Sequence, residues 1–444
     1  MSQYRAYPAY KDSGIEWIGQ VPEHWKIAQI KRISALNPRK STLSEEKDSL
    51  CTFLPMEKLR TNAVTLDETR PIHEVYGGYS YFCDGDILIA KVTPCFENGN
   101  IAIANGLVNG IGFGSTEINV LRVNGKGHNR FLYYRLQEEQ FRTIAKSEMR
   151  GTGGLKRVPT DLFESFTIGL PGTDEQATIA ATLDRETARI DALIEKKNRF
   201  VELLKEKRQG LITHAVTKGL DRNAKMKDSG IEWIGQVPEH WEATKLKHVA
   251  AFSGGGTPSK ENPDYWNGCI PWVSPKDMKH EVITDSIDHI TTKGLENSAT
   301  KLIDSGAVLL VARSGILRHT IPVGINNVPV SLNQDMKALS LDETRVRPRF
   351  ILRWVQGLNR SLLGIWAKEG ATVESLEHEY VANTRLPLPD LKEQDAILAT
   401  LDLETARIDA LISKSEQSIT LLKERRAAFI TAAVTGQIDL RGKQ

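Results

Sequence analysis

Two long segments of the chain carry apolar residues at alternating spacings of three and four, the pattern of a helix with one narrow buried seam. In the first segment the seam includes Ile179, Leu183 and Ile190, and the second segment repeats it from Ile397 onward. Neither segment contains proline. At ~1.5 Å per residue, some forty residues form a rod of roughly 60 Å. The pattern therefore predicts two unusually long helices.

The predicted helices cover 175–218 and 392–444, and each follows a proline-containing breaker with Asp174 or Asp390 as a plausible N-cap. An apolar seam this narrow must be buried against another surface, and the chain contains a second helix with the same pattern. We therefore expect the two helices to pack as an antiparallel coiled coil related by a pseudo-two-fold axis. Two independent helices, each covering its own domain, remain the alternative.

Short apolar and alternating runs bounded by glycine precede each predicted helix, and they are typical of strands. Each region also contains one helical stretch, near 129–146 in the first and 348–363 in the second. Both regions are predicted to be α/β (α+β) domains. The predicted strands lie in Gly85–Pro94, Gly99–Ala104 and Ile118–Val123, and in Gly306–Arg313, Ile321–Ile325 and Met336–Leu341.

The chain is an internal duplication, which is the organising feature of the sequence. KDSGIEWIGQVPEHW at Lys11–Trp25 returns unchanged at Lys227–Trp241, and the helix block Ala181–Ile194 returns almost unchanged at Ala399–Ile412. The stretches between these blocks share little sequence. Random divergence after the duplication would not leave one block unchanged and alter the sequence beside it almost completely. The pattern therefore predicts two surfaces that do the same job twice, and two modules of one shape that contact different things.

The repeat and its polar linker divide the chain into five segments. The order is a first module, a central helix, a linker, a second module and a C-terminal helix. Their predicted boundaries are 1–174, 175–218, 219–226, 227–391 and 392–444.

Composition narrows the function only modestly. A formal net charge of +2 over 444 residues is no signature of nucleic-acid binding, so any DNA-binding surface must be a local patch. No apolar run approaches the roughly 18 residues of a membrane span, and the N-terminus lacks the apolar core of a signal peptide. The four cysteines contain no C-x-x-C pair, which argues against a disulfide framework or a metal site. A cytoplasmic protein without membrane contact is expected.

No motif supports catalysis by this chain. Phe252–Gly256 and Asn262–Tyr265 imitate the glycine loop and the base-clamping motif of an adenine methyltransferase. They lie too close together, and proline-rich sequence follows where a helix should begin. The P-loop and H-E-x-x-H patterns are absent from the sequence. His24 and His240 recur in the repeated block, where a structural or partner-docking role is favoured. We therefore predict no catalytic and no metal-ligating residue.

Several longer motifs resemble the specificity subunits of type I restriction–modification systems, in the expected order and over about residues 10–440. They are WIGQVPEHW in both repeats, GTGGLKRVPTDLF at Gly151–Phe163, the segment Gly254–Met278, SLNQDMKAL at Ser331–Leu339, and LPLPDLKEQDAI at Leu386–Ile397.

The resemblance implies that each module is a target-recognition domain reading one half of a bipartite double-stranded DNA target. The long helices would separate the modules and dock two modification subunits, which bind S-adenosylmethionine and methylate adenine. Restriction subunits, where present, would bind ATP and Mg²⁺ and supply the motor and nuclease. This chain would hold no cofactor. A specificity subunit without a restriction partner, and a bivalent coiled-coil adaptor that binds protein ligands, remain alternatives.

Reading a DNA sequence requires side chains that reach base edges and cations that hold phosphates. In the first module the densest basic stretch runs from Arg142 to Arg157 around a glycine-rich loop, and the loop Gly370–Thr372 occupies the equivalent place in the second. The predicted DNA contacts are Lys91, Thr93, Arg142, Lys146, Arg150, Thr152, Lys156 and Arg157 in the first module, and Ser274, Lys276, Arg313, Ser314, Arg318 and Thr372 in the second.

Overall fold

The computed structural model describes residues 5–43, 46, 48–152, 154–368 and 372–442. The chain forms two compact units, one of Met1–Asn198 with Gln417–Gln444 and one of Arg199–Glu416. Each unit therefore contains one variable module, the first half of one long helix and the second half of the other. The long helices are shared between the units rather than standing as separate domains.

The first module is built on two four-stranded sheets. One is antiparallel throughout, and the other contains one parallel pair, Leu50–Leu54 with Ile111–Gly114. In spatial order, the strands of the antiparallel sheet are Ile101–Ile103, Ile87–Ala90, Ile118–Val123 and Ser34–Leu36. The strands of the mixed sheet are Thr69–Pro71, Leu50–Leu54, Ile111–Gly114 and Ser80–Cys83. Three two-stranded pairs complete it: Tyr10–Asp12 with Gln20–Pro22, Lys26–Gln29 with Thr167–Leu170, and Leu59–Arg60 with Ala63–Val64.

The second module repeats this architecture with different strand lengths. Its two sheets have five and three strands, and Trp266–Val273 runs parallel to Ser331–Leu332 as the counterpart of the parallel pair in the first module. In spatial order, the strands of the five-stranded sheet are Ala250–Gly254, Met336–Leu341, Val308–Val311, Val323–Asn326 and Val282–Ile283. The strands of the three-stranded sheet are Asp288–Ile290, Trp266–Val273 and Ser331–Leu332. The two-stranded pairs are Met226–Asp228 with Gln236–Pro238 and Glu242–Lys245 with Arg385–Leu388.

Short helices cover the sheets. Where one helical stretch was predicted in each module, the structure has two consecutive helices. The α-helices are Ile72–Val75, Asn129–Arg135, Glu139–Ser147 and Thr160–Ser165 in the first unit, and Thr292–Glu296, Pro348–Gly357, Asn359–Trp366 and His378–Asn383 in the second. Single 3-10 turns occupy Ile30–Arg32, Lys40–Thr42, Met56–Lys58, Val108–Gly110, Leu246–His248, Pro263–Tyr265 and Gly315–Arg318.

The central helix spans Thr173–Lys218 and the C-terminal helix spans Leu391–Val434. Both begin slightly before the expected positions 175 and 392. The C-terminal helix also ends well before residue 444, because the chain turns at Gly436 (φ 78°) and runs back to Arg5. There the Asp439 amide donates to the Arg5 carbonyl at 2.8 Å.

The repeated block that contains His24 and His240 anchors the start of each long helix. His24 Nε2 lies 2.8 Å from Glu175, and the Trp25 indole donates to the same carboxylate at 3.2 Å. In the second unit His240 and Trp241 contact Glu393 at 2.8 and 3.1 Å. The structural role predicted for the histidines therefore has a concrete form: each repeat ties its tryptophan and histidine to the first turn of its helix.

The glutamine that follows each of these glutamates, Gln176 or Gln394, bonds main-chain atoms of the variable module and none of its side chains. Gln176 is buried, accepts from the His128 amide at 2.8 Å and donates to the Pro171 carbonyl at 2.9 Å. Gln394 likewise accepts from the Arg347 amide at 2.8 Å and donates to the carbonyls of Pro389 and Arg345, both at 2.9 Å. Because these contacts use the backbone of the module, they survive changes of its side chains.

Within each unit the two long helices pack on each other. In the first unit Ile179 and Leu183 share a buried core with Phe429 and Ile430, and Asp191 pairs with Arg426 at 2.9 Å. In the second unit Arg208 of the central helix pairs with Asp409 of the C-terminal helix at 3.0 Å. Asp409 and Arg426 occupy the matched positions of Asp191 and Arg208 in the repeat, so the same ion pair is made twice.

Candidate nucleic-acid interface

In each module, three strands end at one edge, and about half of the predicted contact residues follow those ends. In the first module the edge is formed after Leu54, Ala90 and Gly114. It is closed by hydrogen bonds from the Ser115 amide to the Leu54 carbonyl and from the Lys91 amide to the Glu117 carbonyl, at 3.1 and 3.0 Å. We call this the loop edge of the first module.

A hairpin crosses this loop edge and is fixed to it by Thr93. Arg150 and Arg157 exchange two backbone hydrogen bonds of 2.8–2.9 Å. Thr93 donates its amide to the Lys156 carbonyl at 2.9 Å, and its hydroxyl accepts from the Lys156 amide at 3.0 Å. The structure thus brings together six of the predicted residues: Lys91, Thr93, Arg150, Thr152, Lys156 and Arg157.

The second module has an equivalent loop edge. Its strands end at Val273, Val311 and Leu332, and the Asn333 amide donates to the Val273 carbonyl at 2.9 Å. The amide of Ser314 donates to the Glu374 carbonyl at 3.0 Å, and Ala367 and Leu376 form an antiparallel bridge in the same segment, as Arg150 and Arg157 do in the first module. This places Arg313, Ser314, Arg318 and the exposed Thr372 at the same edge, while Gly370 and Ala371 of the predicted loop lie outside the described residues.

Ser274 and Lys276 belong to the turn that follows the strand Trp266–Val273. The Ser274 side chain is buried, and its hydroxyl and amide both donate to the Asp277 carboxylate at 2.8 Å. Lys276 is exposed beside it. The serine therefore shapes the turn, and the lysine is the residue of this pair that solvent, or a ligand, reaches.

Arg142 and Lys146 lie behind the first loop edge, on the helix Glu139–Ser147. Arg142 donates to the carbonyls of Phe96 and Glu97 at 2.9 Å, and burial lowers the pKa of its guanidinium. It therefore holds the loop that follows the strand Ile87–Ala90. Lys146 lines a cavity together with Glu424 of the C-terminal helix, rather than with the hairpin residues.

The arginines at the loop edges are paired with carboxylates. Arg157 makes two hydrogen bonds with Glu117, Arg313 donates to Asp335 at 2.8 Å, and Arg318 pairs with Glu374. The Arg157 guanidinium holds the pKa of the Glu117 carboxyl below its usual range, and Arg318 does the same for Glu374. Within the described part of the chain, five predicted cations form no ion pair: Arg142 and Lys146 on the helix Glu139–Ser147, and Lys91, Lys156 and Lys276 near the loop edges.

Sequence reasoning missed Glu117 and Asp335. Both stand directly before a strand, at Ile118 and Met336, and that shared position was the available signal. A carboxylate gives no direct sign of DNA binding, because the phosphate backbone of DNA attracts cations.

The glycines that imitate a cofactor loop have a packing role at the second loop edge. A Cβ on Gly255 would lie 1.9 Å from the Asn333 carbonyl oxygen, and one on Gly256 would lie 2.7 Å from the Thr300 amide nitrogen. The Gly256 carbonyl also accepts from the buried Trp272 indole at 2.9 Å. Glycine is required here because two backbones approach closely.

In the described ranges, no group of three or more His, Cys, Asp and Glu side chains is arranged to hold a metal ion. Over the same residues, no helix is both long and apolar enough to cross a bilayer.

The family model described as the type I restriction modification DNA specificity domain matches the chain twice, over residues 22–203 and 238–421. The chain belongs to this family. The two matches include both modules and much of both long helices, so the duplication found in the sequence is a duplication of the family's domain.

The relatives of this chain match it over segments of different length. The chain is 31% identical over 225 residues to the EcoR124I/EcoR124II specificity subunit of Escherichia coli, which is 50% of this chain and 48% of that protein. It thus spans about half the length of that relative. The EcoAI specificity subunit is 37% identical over 163 residues, or 36% of this chain and 27% of that protein. A putative MjaX specificity subunit of Methanocaldococcus jannaschii is 22% identical over 96% of both chains.

Solved structures share the two-domain fold, with mixed helices and strands. A chain from a study of assembly and conformational transition of a type I R-M system has a TM-score of 0.75, with 17% identity, over 96% of this chain and 99% of that chain. The HsdS subunit from Thermoanaerobacter tengcongensis has a TM-score of 0.57, with 18% identity, over 94% and 98%.

Proposed function

We propose that this chain is the DNA-reading subunit of a cytoplasmic type I restriction–modification complex, in which each module reads one half of a bipartite duplex target. The observation that carries the proposal is the pair of equivalent loop edges in two modules whose sequences differ. The same frame presents different side chains, as reading two different half-targets requires. Lys91 and Lys156 in the first module and Lys276 in the second would contact phosphates.

The adaptor hypothesis is less favoured. A protein ligand would suit the balanced charge of the chain, but the relatives described above are specificity subunits of restriction enzymes. Under the proposal this chain performs no chemistry and carries no cofactor. S-adenosylmethionine would be bound by the modification subunit, and ATP and Mg²⁺ by a restriction subunit where one exists.

The first test is single-molecule mapping of methyladenine in DNA from cells with and without this gene, with the modification partner expressed in both. We expect a split motif to be methylated only when the gene is present. A control strain that expresses the chain without its partner should show no such methylation. If the methylome is unchanged although the partner is expressed and active, the chain is not the reader.

We also propose that the long helices form an antiparallel pair with pseudo-two-fold symmetry that docks two modification subunits. The repeated ion pairs Asp191–Arg426 and Arg208–Asp409 support the pairing. Exposed apolar side chains recur at matched positions: Leu193 and Leu421 in the first unit, Leu411 and Leu203 in the second. Exposed basic residues flank them at the matched positions Arg189 and Arg407. A partner with an acidic and apolar helical face would fit both places.

Replacing Leu193 with Asp is expected to weaken binding of one modification subunit by about thirtyfold or more, since buried interface anchors contribute about 2 kcal/mol or more. Leu411→Asp should remove the other copy, and the double variant should bind neither. Mass photometry of the purified complexes measures this directly.

Leu403→Asp is the matched control. Leu403 is also exposed on a long helix, but its counterpart in the first repeat is Arg185, so it cannot belong to a surface present twice. Equal loss of binding in Leu403→Asp and Leu193→Asp would contradict the assignment.

A further inference from the structure

A carboxylate stands at the same point of both loop edges. The backbone carbonyl of Glu117 accepts from the Lys91 amide at 3.0 Å, and that of Asp335 accepts from the Ala312 amide at 2.7 Å. Each residue precedes the strand that pairs with the one ending at the edge, at Ile118 or Met336. Glu117 and Asp335 are therefore structural equivalents in two modules that share little sequence.

Each carboxylate pairs with an arginine, and each module has an equivalent backbone bridge that joins the residues after the strand to a later segment of the chain. The arginine lies in the later segment in one module and directly after the strand in the other. In the first module Val92 bridges Arg157, and the hairpin residue Arg157 pairs with Glu117. In the second module Arg313 bridges Ser375, and here the residue after the strand, Arg313, pairs with Asp335. A guanidinium therefore lies at the equivalent point of both loop edges, although the arginine that carries it comes from a different position in each module.

Stability does not explain why such a pair is present in both modules. The side chains of Arg157 and Arg313 are 47% and 55% exposed. Exposed ion pairs of this kind contribute little to folding stability, because water and salt screen the attraction. A feature that is rebuilt from different residues, yet adds little stability, points to a contact with something outside the chain.

The geometry leaves part of each guanidinium free to act as a double donor. Arg157 uses Nε and Nη2 to bond Glu117 at 2.9 and 2.8 Å, and Arg313 uses Nε to bond Asp335 at 2.8 Å. Among the described residues nothing accepts from Nη1 of either arginine. The Nη1–Nη2 end matches the O6 and N7 acceptors of guanine in the major groove. The carboxylate fixes the rotamer beforehand, which lowers the entropy cost of binding.

We propose that Arg157 and Arg313 each read a guanine, one in each half of the target, and that Glu117 and Asp335 are the residues that position them. This rests on the proposed function. A phosphate oxygen has the same acceptor chemistry as a guanine edge, so the test must separate the two.

The experiment uses the full chain assembled with its modification subunit. Binding is measured against the mapped target and a set of duplexes that carry every single base-pair change, at several salt concentrations. Arg157→Ala should reduce discrimination roughly tenfold to hundredfold at one base pair of one half-target, as loss of a bidentate guanine contact does. Arg313→Ala should do so in the other half, and Glu117→Gln and Asp335→Asn should give smaller losses at the same base pairs.

Lys156→Ala is the matched control beside Arg157. It should weaken binding to all duplexes alike and reduce the salt slope by about one, as loss of a phosphate contact does. The same uniform loss in Arg157→Ala would assign its guanidinium to a phosphate and overturn the proposal. So would a changed melting temperature with unaltered discrimination. If the wild-type complex recognises no split target, the proposed function itself fails.

Discussion

Replacing residues 26–174 with the corresponding module of a relative should change one half of the methylated target completely and leave the other half unaltered. The reason is that each module has its own core and its own loop edge. The helix holds the first module through Gln176, which contacts the backbone of residues 128 and 171. A module with different side chains can therefore keep these two backbone hydrogen bonds, even where the side-chain contacts of Arg130 and Tyr134 with Asp184 are lost.

Methyladenine mapping of cells that carry the chimera measures this outcome. The reciprocal exchange of residues 242–392 is the matched control, and it should alter only the other half. Gln394 makes the equivalent backbone contacts there. If either exchange changed both halves of the motif, the modules would not read independently.

Arg135→Ala should destabilise the first module by about 3–5 kcal/mol, the largest stability effect we expect from a single substitution. Arg135 and Glu138 form a fully buried ion pair, with 1% and 0% of their side chains exposed. Glu138 also caps the helix Glu139–Ser147 by accepting from the amides of Gln140 and Phe141 at 2.9 and 2.7 Å. Removal of the arginine leaves a buried carboxylate without its counter-charge.

The two units need not unfold together, so hydrogen exchange of peptides from residues 129–147, read by mass spectrometry, is the appropriate measurement. Protection of these peptides should fall sharply in Arg135→Ala and stay largely intact in the double variant Arg135→Met/Glu138→Gln, which removes both charges. Lys205→Ala, which breaks the exposed pair with Glu202, should change stability by less than about 1 kcal/mol. Equal protection in Arg135→Ala and the wild type would mean that the buried pair contributes nothing.

The apolar seam and the repeat could be interpreted from sequence because both are periodic along the chain. They predicted the long helices, and the short strands around Ile87–Ala90, Ile118–Val123, Val308–Val311 and Met336–Leu341 were also recognisable. The family followed from motifs such as WIGQVPEHW, and the match over residues 22–203 and 238–421 confirmed it. The reason that this motif is repeated was not visible, because the contacts of Trp25 and Trp241 are with residues far along the chain.

The site residues show the same limit. Arg142 and Arg157 belong to one basic stretch, yet the first is half-buried against loop carbonyls and the second is exposed at the loop edge. A sequence records charge but not which face of a helix or hairpin a charge lies on. Nor does it relate Arg157 to Arg313, because these arginines take the same place from different positions in their modules. The sequence by itself determined the helices, the duplication and the family, which depend on local periodicity and motif order. Only the tertiary structure decided which charges meet, because those contacts join residues distant in sequence.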